Sequence, residues 1–372
     1  MKKSSRPFFL IILCVMKTII IENSEIITPF GNTQETIDNL YSSRSAITAE
    51  NCFGLPVSLA RVPNNYPKRA PKIVEYYKNY GKYNSDKTLF IYAAAKGDIN
   101  KIIDKNYDGY SPILSEQAKQ ITNDLGLGNC KVTVSANACA AGAAAIDTAR
   151  LYLKNEIFEN AVIFGLEQIS EFVIKGFHSL DALSPAAARP FDKNRNGMSL
   201  GEGSGICVLK YAESKKGDIC VSGSGSSNDA HHRTAPSRTG EGLASAILRA
   251  LKSANMDADG ICAIKCHGTA TPYNDAMEAK ALKLVFGDNI PPMISLKGTM
   301  GHLSGAGSMI ETIIAAEFLK NGKIAPTLNF DEFEGEEKIG IQNKCQTING
   351  NNMLCLSAGF GGMNAAIILG KS

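Results

Sequence analysis

Short apolar runs of strand character, separated by stretches of helical periodicity, recur along the whole chain and restrict it to α/β layering with mostly parallel sheets. TLFIYAAA (88–95), KVTVSA (131–136), NAVIFGL (160–166) and GICVLKY (205–211) fall in the first half. ICVSGSG (219–225), ICAIKC (261–266), MISL (293–296), MLCLSAG (353–359) and AAIILG (365–370) fall in the second, after the charged joint AESKKGD (212–218). The two sets share an order of strands and helices, which predicts a duplicated unit although no sequence repeat is visible. The expected boundaries are an N-terminal extension at 1–15, a first half at 16–211 and a second at 217–372. A chain of 372 residues is long enough for such a two-lobed body.

Composition narrows the function classes. A hydrophobic fraction of 44 %, a charged fraction of 20 % and 34 glycines describe a folded α/β chain, not a disordered or fibrous one. A net charge of +3 is too small a surplus to indicate nucleic acid. Residues 61–87 are basic and tyrosine-rich; they read as a solvated helix flanked by loops, on which an acidic carrier protein could dock, in preference to a base-stacking surface. The ten cysteines form no C-x-x-C pair and read mostly as buried small hydrophobes of a reducing compartment. The start, MKKSSRPFFLIILCVM, mimics a signal peptide's basic and apolar regions but lacks a small-residue cleavage site and is too short to span a bilayer. It reads as an addition from an upstream start codon or as a signal-like segment, since MKTIIIENSEIITPFGN already reads as a first strand, a second extended piece and a turn.

One cysteine departs from the rest. In KVTVSANACAAGAAAIDTARLYLKN (131–155), Cys139 sits where a β-branched run gives way to a glycine- and alanine-rich helix. The unpaired N–H groups and positive dipole end of a helix start favour thiolate over thiol, and the small residues after it let the helix pack close to its neighbours. On this segment alone an inert core cysteine fits equally well. KCHGTATPYNDAMEAKAL puts His267 just after a strand, and SLKGTMGHLSGAGSMIE puts Lys297 and His302 in one glycine-rich loop with Glu311 in the helix beyond. SAGFGGMNAAIIL sets a glycine-flanked Phe360 between two strands. Two histidines in such loops, accompanying a helix-start cysteine, point to a nucleophile with a polar pair. His178, His231 and His232 lack matching partners, and no ligand spacing for a metal follows them.

These segments, with ARPFDKNRNGMSLGEGSG (188–205) and NDAHHRTAPSRTGEG (228–242), resemble the β-ketoacyl synthase family of condensing enzymes. The family's Ala-Cys-Ala segment, HGT-x-T, K-x-x-x-x-GH and GFGG-x-N motifs are all present in order, over essentially all of residues 16–372. The resemblance implies a thiolase-like five-layer αβαβα fold of two similar halves, active in the cytoplasm as an acyltransferase. It implies that Cys139 carries an acyl thioester, that His267 and His302 assist decarboxylation of a malonyl group, and that the backbone N–H groups of Cys139 and Phe360 form an oxyanion hole. Lys297 would order the surroundings of the second histidine with Glu311 as its partner; Asp275, Gly359 and Gly361 would support the site, and Thr269 and Thr271 would hold the pantetheine arm. No cofactor is implied beyond the phosphopantetheine of a partner acyl carrier protein. The implied assembly is a homodimer, or a heterodimer with a second ketosynthase-like subunit, without stable membrane insertion. The implied reaction is decarboxylative Claisen condensation in fatty-acid or polyketide and aryl-polyene elongation; the alternative is a non-catalytic, chain-length-factor-like partner, against which Cys139 argues. A thiol-dependent hydrolase is the weakest reading, because no acidic orienting partner for a Cys–His dyad is evident. The chain departs from the family at Asn137 and Met363, where threonine is usual, and at Ala358, often phenylalanine. The segment before Cys139 is also shorter than in elongating fatty-acid enzymes.

Overall fold

The computed structural model describes residues 17–67, 70–335 and 337–372. The extension expected at 1–15 lies outside the described residues.

In the first half the strands of the ten-stranded sheet are β1 (Lys17–Ile27), β2 (Thr88–Ala93), β3 (Lys131–Ser135), β4 (Asn160–Glu167) and β5 (Gly203–Glu213), while 47–52, 55–60 and 200–201 form a small separate sheet. In the second they are β6 (Ile219–Asn228), β7 (Ala263–Lys265), β8 (Met293–Ile294), β9 (Asn352–Gly359) and β10 (Met363–Lys371). Their spatial order is β3-β2-β4-β5-β1 in one half and β8-β7-β9-β10-β6 in the other. Both are the third, second, fourth, fifth and first strands of their half. Directions agree too: the first strand is antiparallel to the fifth and the fifth to the fourth, whereas the fourth, second and third are parallel. The halves meet edge to edge through Ile20 and Cys220. The expected duplication is therefore present in topology where it is invisible in residue identity.

Six helices complete the layers: α1 (Ala70–Tyr76), α2 (Leu114–Asp124), α3 (Ala141–Lys154), α4 (Glu241–Ala254), α5 (Pro272–Phe286) and α6 (Ser304–Asn321). α1 and α2 cover the outer face of the first sheet, α4 and α5 that of the second, and α3 packs on α6 between the sheets. A strand buried on both faces needs apolar side chains on both, which is why the strands read as continuous runs without alternation. α6 shows the same effect: fifteen of its eighteen residues are buried, small ones at its start and Ile, Phe and Leu further on.

The structure corrects three local expectations. The opening segment is one strand, kinked by a register shift between Ile21 and Asn23, where two extended pieces were predicted. The runs at 261–266 and 293–296 shorten to three and two strand residues, because their ends turn away to build the site. In the tyrosine-rich segment, Tyr77 and Tyr80 are buried in the outer core of the first sheet, where Tyr77 meets Phe164 edge-on at 5.6 Å between centroids. Those rings complete the core, while the lysines around them remain at the surface.

Candidate active site

One cavity of about 450 Å³ is lined by Cys139, His267, His302, Thr269, Thr271 and Phe360. Cys139 lies in a 3₁₀ turn, Ala138–Ala140, that runs directly into α3. Ala138 has φ +48°, a left-handed conformation costly for a residue with a Cβ, and this bend presents the next residue's sulfur to the cavity. Behind it, a Cβ on Gly142 would come within 2.4 Å of the Met309 nitrogen, so only glycine lets α3 sit this close to α6. The Ala143 N–H donates to Ser308 Oγ across the same contact at 3.0 Å. Gly359 is packed tightly too, since a Cβ there would lie 3.2 Å from the Cys139 nitrogen. The loop carrying Phe360 thereby comes against the Cys139 backbone, and the Phe360 ring rests on Phe177 at 5.7 Å. Gly361, at φ +85°, completes this tight loop and donates its N–H to Arg233 O.

The two histidines arrive from the second half. Glu278 on α5 accepts the His267 and Gly268 N–H groups, at 2.5 and 2.8 Å, while Lys297 Nζ donates to the His267 carbonyl at 2.7 Å. His302 is fixed by its backbone, donating to Ser199 O at 2.8 Å and accepting from Gly201 N–H. The rings stand 5.4 Å apart, nearly perpendicular. Neither ring nitrogen of His302 has a hydrogen-bond partner although both are buried. A polar side chain left bare in such a place is poised for a ligand.

Behind the rings lies a buried ion cluster. Lys297 Nζ meets Glu311 Oε1 and Lys265 Nζ meets Glu311 Oε2, both at 2.8 Å. Burial alone would raise the Glu311 carboxyl, but the two ammonium groups hold it at about 2. Burial, then the Lys297 charge, pushes His302 down to about 3 and His267 well below the usual imidazole value. Both rings are neutral at physiological pH, each with one N–H to donate. Burial pushes Cys139 up to about 11, with Lys297 pulling only partly back. This corrects the expectation of a helix-start thiolate: loss of water outweighs the attraction of the helix end, and the resting group is the thiol.

The predicted residues divide cleanly. Cys139, His267, His302, Phe360, Gly359, Thr269 and Thr271 share the cavity, and the hydroxyls of Thr269 and Thr271 lie 2.8 Å apart at its wall. Lys297 and Glu311 stand behind it. Asp275 is not part of the cavity lining; it accepts the Phe191 N–H at 2.7 Å and so fastens the 188–195 segment to α5. His178, His231 and His232 are exposed, and among the described residues no group of three His, Cys, Asp or Glu side chains could hold a metal ion. Lys265 and Glu278 escaped the sequence reading. Lys265 had a usable signal, a lone charge inside the apolar run ICAIKC, which burial permits only with a partner.

Comparison with known proteins agrees with this geometry. The family models described as "Beta-ketoacyl synthase, N-terminal domain" and "Beta-ketoacyl synthase, C-terminal domain" match residues 103–215 and 219–331. The 3-oxoacyl-[acyl-carrier-protein] synthase 2 of Staphylococcus aureus is 34 % identical over 267 residues, which is 68 % of this chain and 64 % of that protein. The Vibrio harveyi protein of the same name is 31 % identical over 277 residues, 70 % of this chain and 66 % of its own length. The matched region thus spans just under two thirds of these relatives. Among solved structures, the ishigamide ketosynthase/chain length factor superposes with a TM-score of 0.83 at 24 % identity, covering 96 % of this chain and all of that one. The ketosynthase ApeO in complex with its chain length factor ApeC, from Xenorhabdus doucetiae, gives 0.83 at 22 % identity with both chains fully covered. These likenesses establish the thiolase-like fold of two similar halves.

Proposed function

The chain belongs to the β-ketoacyl synthase family, and from that premise we propose that it joins carbon to carbon by decarboxylative Claisen condensation of an acyl thioester with a malonyl group on an acyl carrier protein. The observation that carries the reading is the grouping of a buried thiol with two neutral imidazoles, one of them with both nitrogens bare, around a single cavity.

The chemistry runs in two halves. Cys139 sulfur attacks the carrier-bound acyl thioester, its proton passes to the departing pantetheine sulfur, and the acyl group is left on the enzyme. Malonyl thioester then enters past Thr269 and Thr271. Loss of carbon dioxide places negative charge on its thioester oxygen, where N–H groups of neutral His267 and His302 stabilise the enolate. Imidazolium at both positions would instead hold the malonyl carboxylate and oppose its departure. The enolate carbon attacks the acyl carbonyl, whose developing oxyanion takes hydrogen bonds from the backbone N–H groups of Cys139 and Phe360. Collapse expels the Cys139 sulfur, which regains a proton. No cofactor acts beyond the carrier's phosphopantetheine.

The partner is a carrier protein of acidic surface, received by Arg233 and Arg238 beside the cavity mouth. The assembly is a dimer formed at β3, which ends the first sheet with one edge unpaired and Val132 exposed. Placing a second subunit there sets two Cys139 turns near one interface, whether that subunit is a copy of this chain or a ketosynthase-like partner. The cytoplasm, where malonyl carriers reside, is the site of action, and among the described residues no helix is long and apolar enough to cross a membrane.

Intact-protein mass after incubation with acyl carrier proteins of varied chain type tests the reading. Wild type gains the acyl mass and Cys139→Ala does not. His302→Ala still loads but loses roughly 10²-fold or more in malonyl decarboxylation. Absence of loading on wild type, with condensation appearing only when a second synthase subunit is added, establishes the non-catalytic partner in its place.

A further inference from the structure

Lys265 occupies the last position of β7, two residues before His267, between the buried side chains of Ile264 and Cys266. Its ammonium donates to Glu311 Oε2 at 2.8 Å and to the Leu356 carbonyl of β9 at 2.7 Å. Glu311's other oxygen receives Lys297, which also holds the His267 carbonyl. Two buried cations therefore share one buried anion. An apolar side chain at 265 would spare the strand the desolvation of a second ammonium, so fold stability alone gives little reason for a lysine here.

We propose that Lys265 is a positioning residue of the condensation site: it clamps Glu311 so that Lys297 stays aimed at the His267 loop, and it leaves one surplus positive charge behind the two imidazoles. That charge disfavours imidazolium at both rings and keeps their N–H groups available to the enolate. The inference rests on the proposed function for its catalytic meaning, though not for its electrostatics. The groups facing the cluster are His267 on the loop after β7, Glu278 and Asp275 on α5, Lys297 on the turn 297–300, His302 on the loop before α6, Glu311 on α6, Cys355 on β9 and Cys139 before α3. Glu278 is pushed up to about 7 by burial, both oxygens engaged by backbone N–H groups, so Glu311 is the firmly ionised anion of the group. Lys265 is the cation that Glu311 holds in addition to Lys297.

The test uses full-length protein with ¹⁵N-labelled histidine and follows the imidazole resonances from pH 8 to 3. The chain has five histidines, and the exposed His178, His231 and His232 serve as internal references. Lys265→Met removes the charge and the donors; Lys265→Gln removes the charge but keeps N–H donors for Glu311 and Leu356. In both, the onset of protonation at His267 or His302 moves up by about one pH unit while the reference histidines stay unchanged. At pH 7, where both rings stay neutral in either variant, malonyl decarboxylation falls at least tenfold in kcat for Lys265→Met, which has lost the clamp on Glu311, with KM for the malonyl carrier unchanged, and Lys265→Gln restores part of that rate. Unshifted rings in folded variants overturn the proposal, as does failure of both variants to fold, which assigns Lys265 to the fold alone. Absence of acyl loading on wild type would sink the proposed function while leaving the imidazole result standing.

Discussion

At the scale of single residues, this site works through neutrality. A thiol pushed up to about 11 and imidazoles pushed far down are what burial does to groups that must lose or gain charge, and a neutral trio suits a substrate that brings its own negative charge. Alkylation of Cys139 by iodoacetamide, followed by peptide mass, should climb about tenfold per pH unit between pH 7 and 9, because thiolate is the reacting form. A plateau below pH 8 would falsify the raised thiol. Glu311 has the opposite sign. Its carboxyl is held at about 2, below its unfolded value, so the stability it contributes is present above pH 4.5 and is lost as pH falls toward 2. Glu311→Gln leaves two buried ammonium groups unbalanced and costs about 3–5 kcal/mol at neutral pH. Its denaturant midpoint should fall accordingly at pH 7, with the gap to wild type closing on acidification; equal midpoints at pH 7 would refute the role.

The same contacts seen as elements explain why Cys139 is held so deeply. α3 and α6 cross between the sheets at small residues, Gly142 against Met309 and Ala143 against Ser308, and both helices begin at the cavity. Each helix start thus delivers one part of the site, Cys139 from the first half and His302 from the second. Gly142→Ala inserts a methyl where the Met309 backbone already stands and should cost about 1–3 kcal/mol, measured by urea denaturation. The same substitution moves the Cys139 turn and slows acyl loading. Wild-type stability in that variant would show that the two helices part freely. The run of alanines and the glycine were legible in the sequence as a close-packed helix; that its partner would be α6 was not, because the contact joins residues 165 positions apart and periodicity reports only local order.

In the whole molecule, two halves of matching topology meet along one seam, and the outer edge of the first sheet, where the proposed dimer would form, is unpaired. Val132, 37 % exposed on that edge, is the place to test it. In the proposed twofold dimer Val132→Glu would put like charges face to face, so the mass by light scattering should fall from dimer to monomer while acyl loading drops. An unchanged dimer places the interface elsewhere. Most strand centres, the duplicated order, and the places of the cysteine and both histidines in turns beside strands were legible in the sequence alone, because each is written in local patterns: apolar runs, turn glycines and short motifs. The tertiary structure alone decided the ionisation of those groups and the sharing of Glu311 between Lys297 and Lys265. Burial and distance set a charge's energy, and both arise only when segments remote in the chain come together with water excluded.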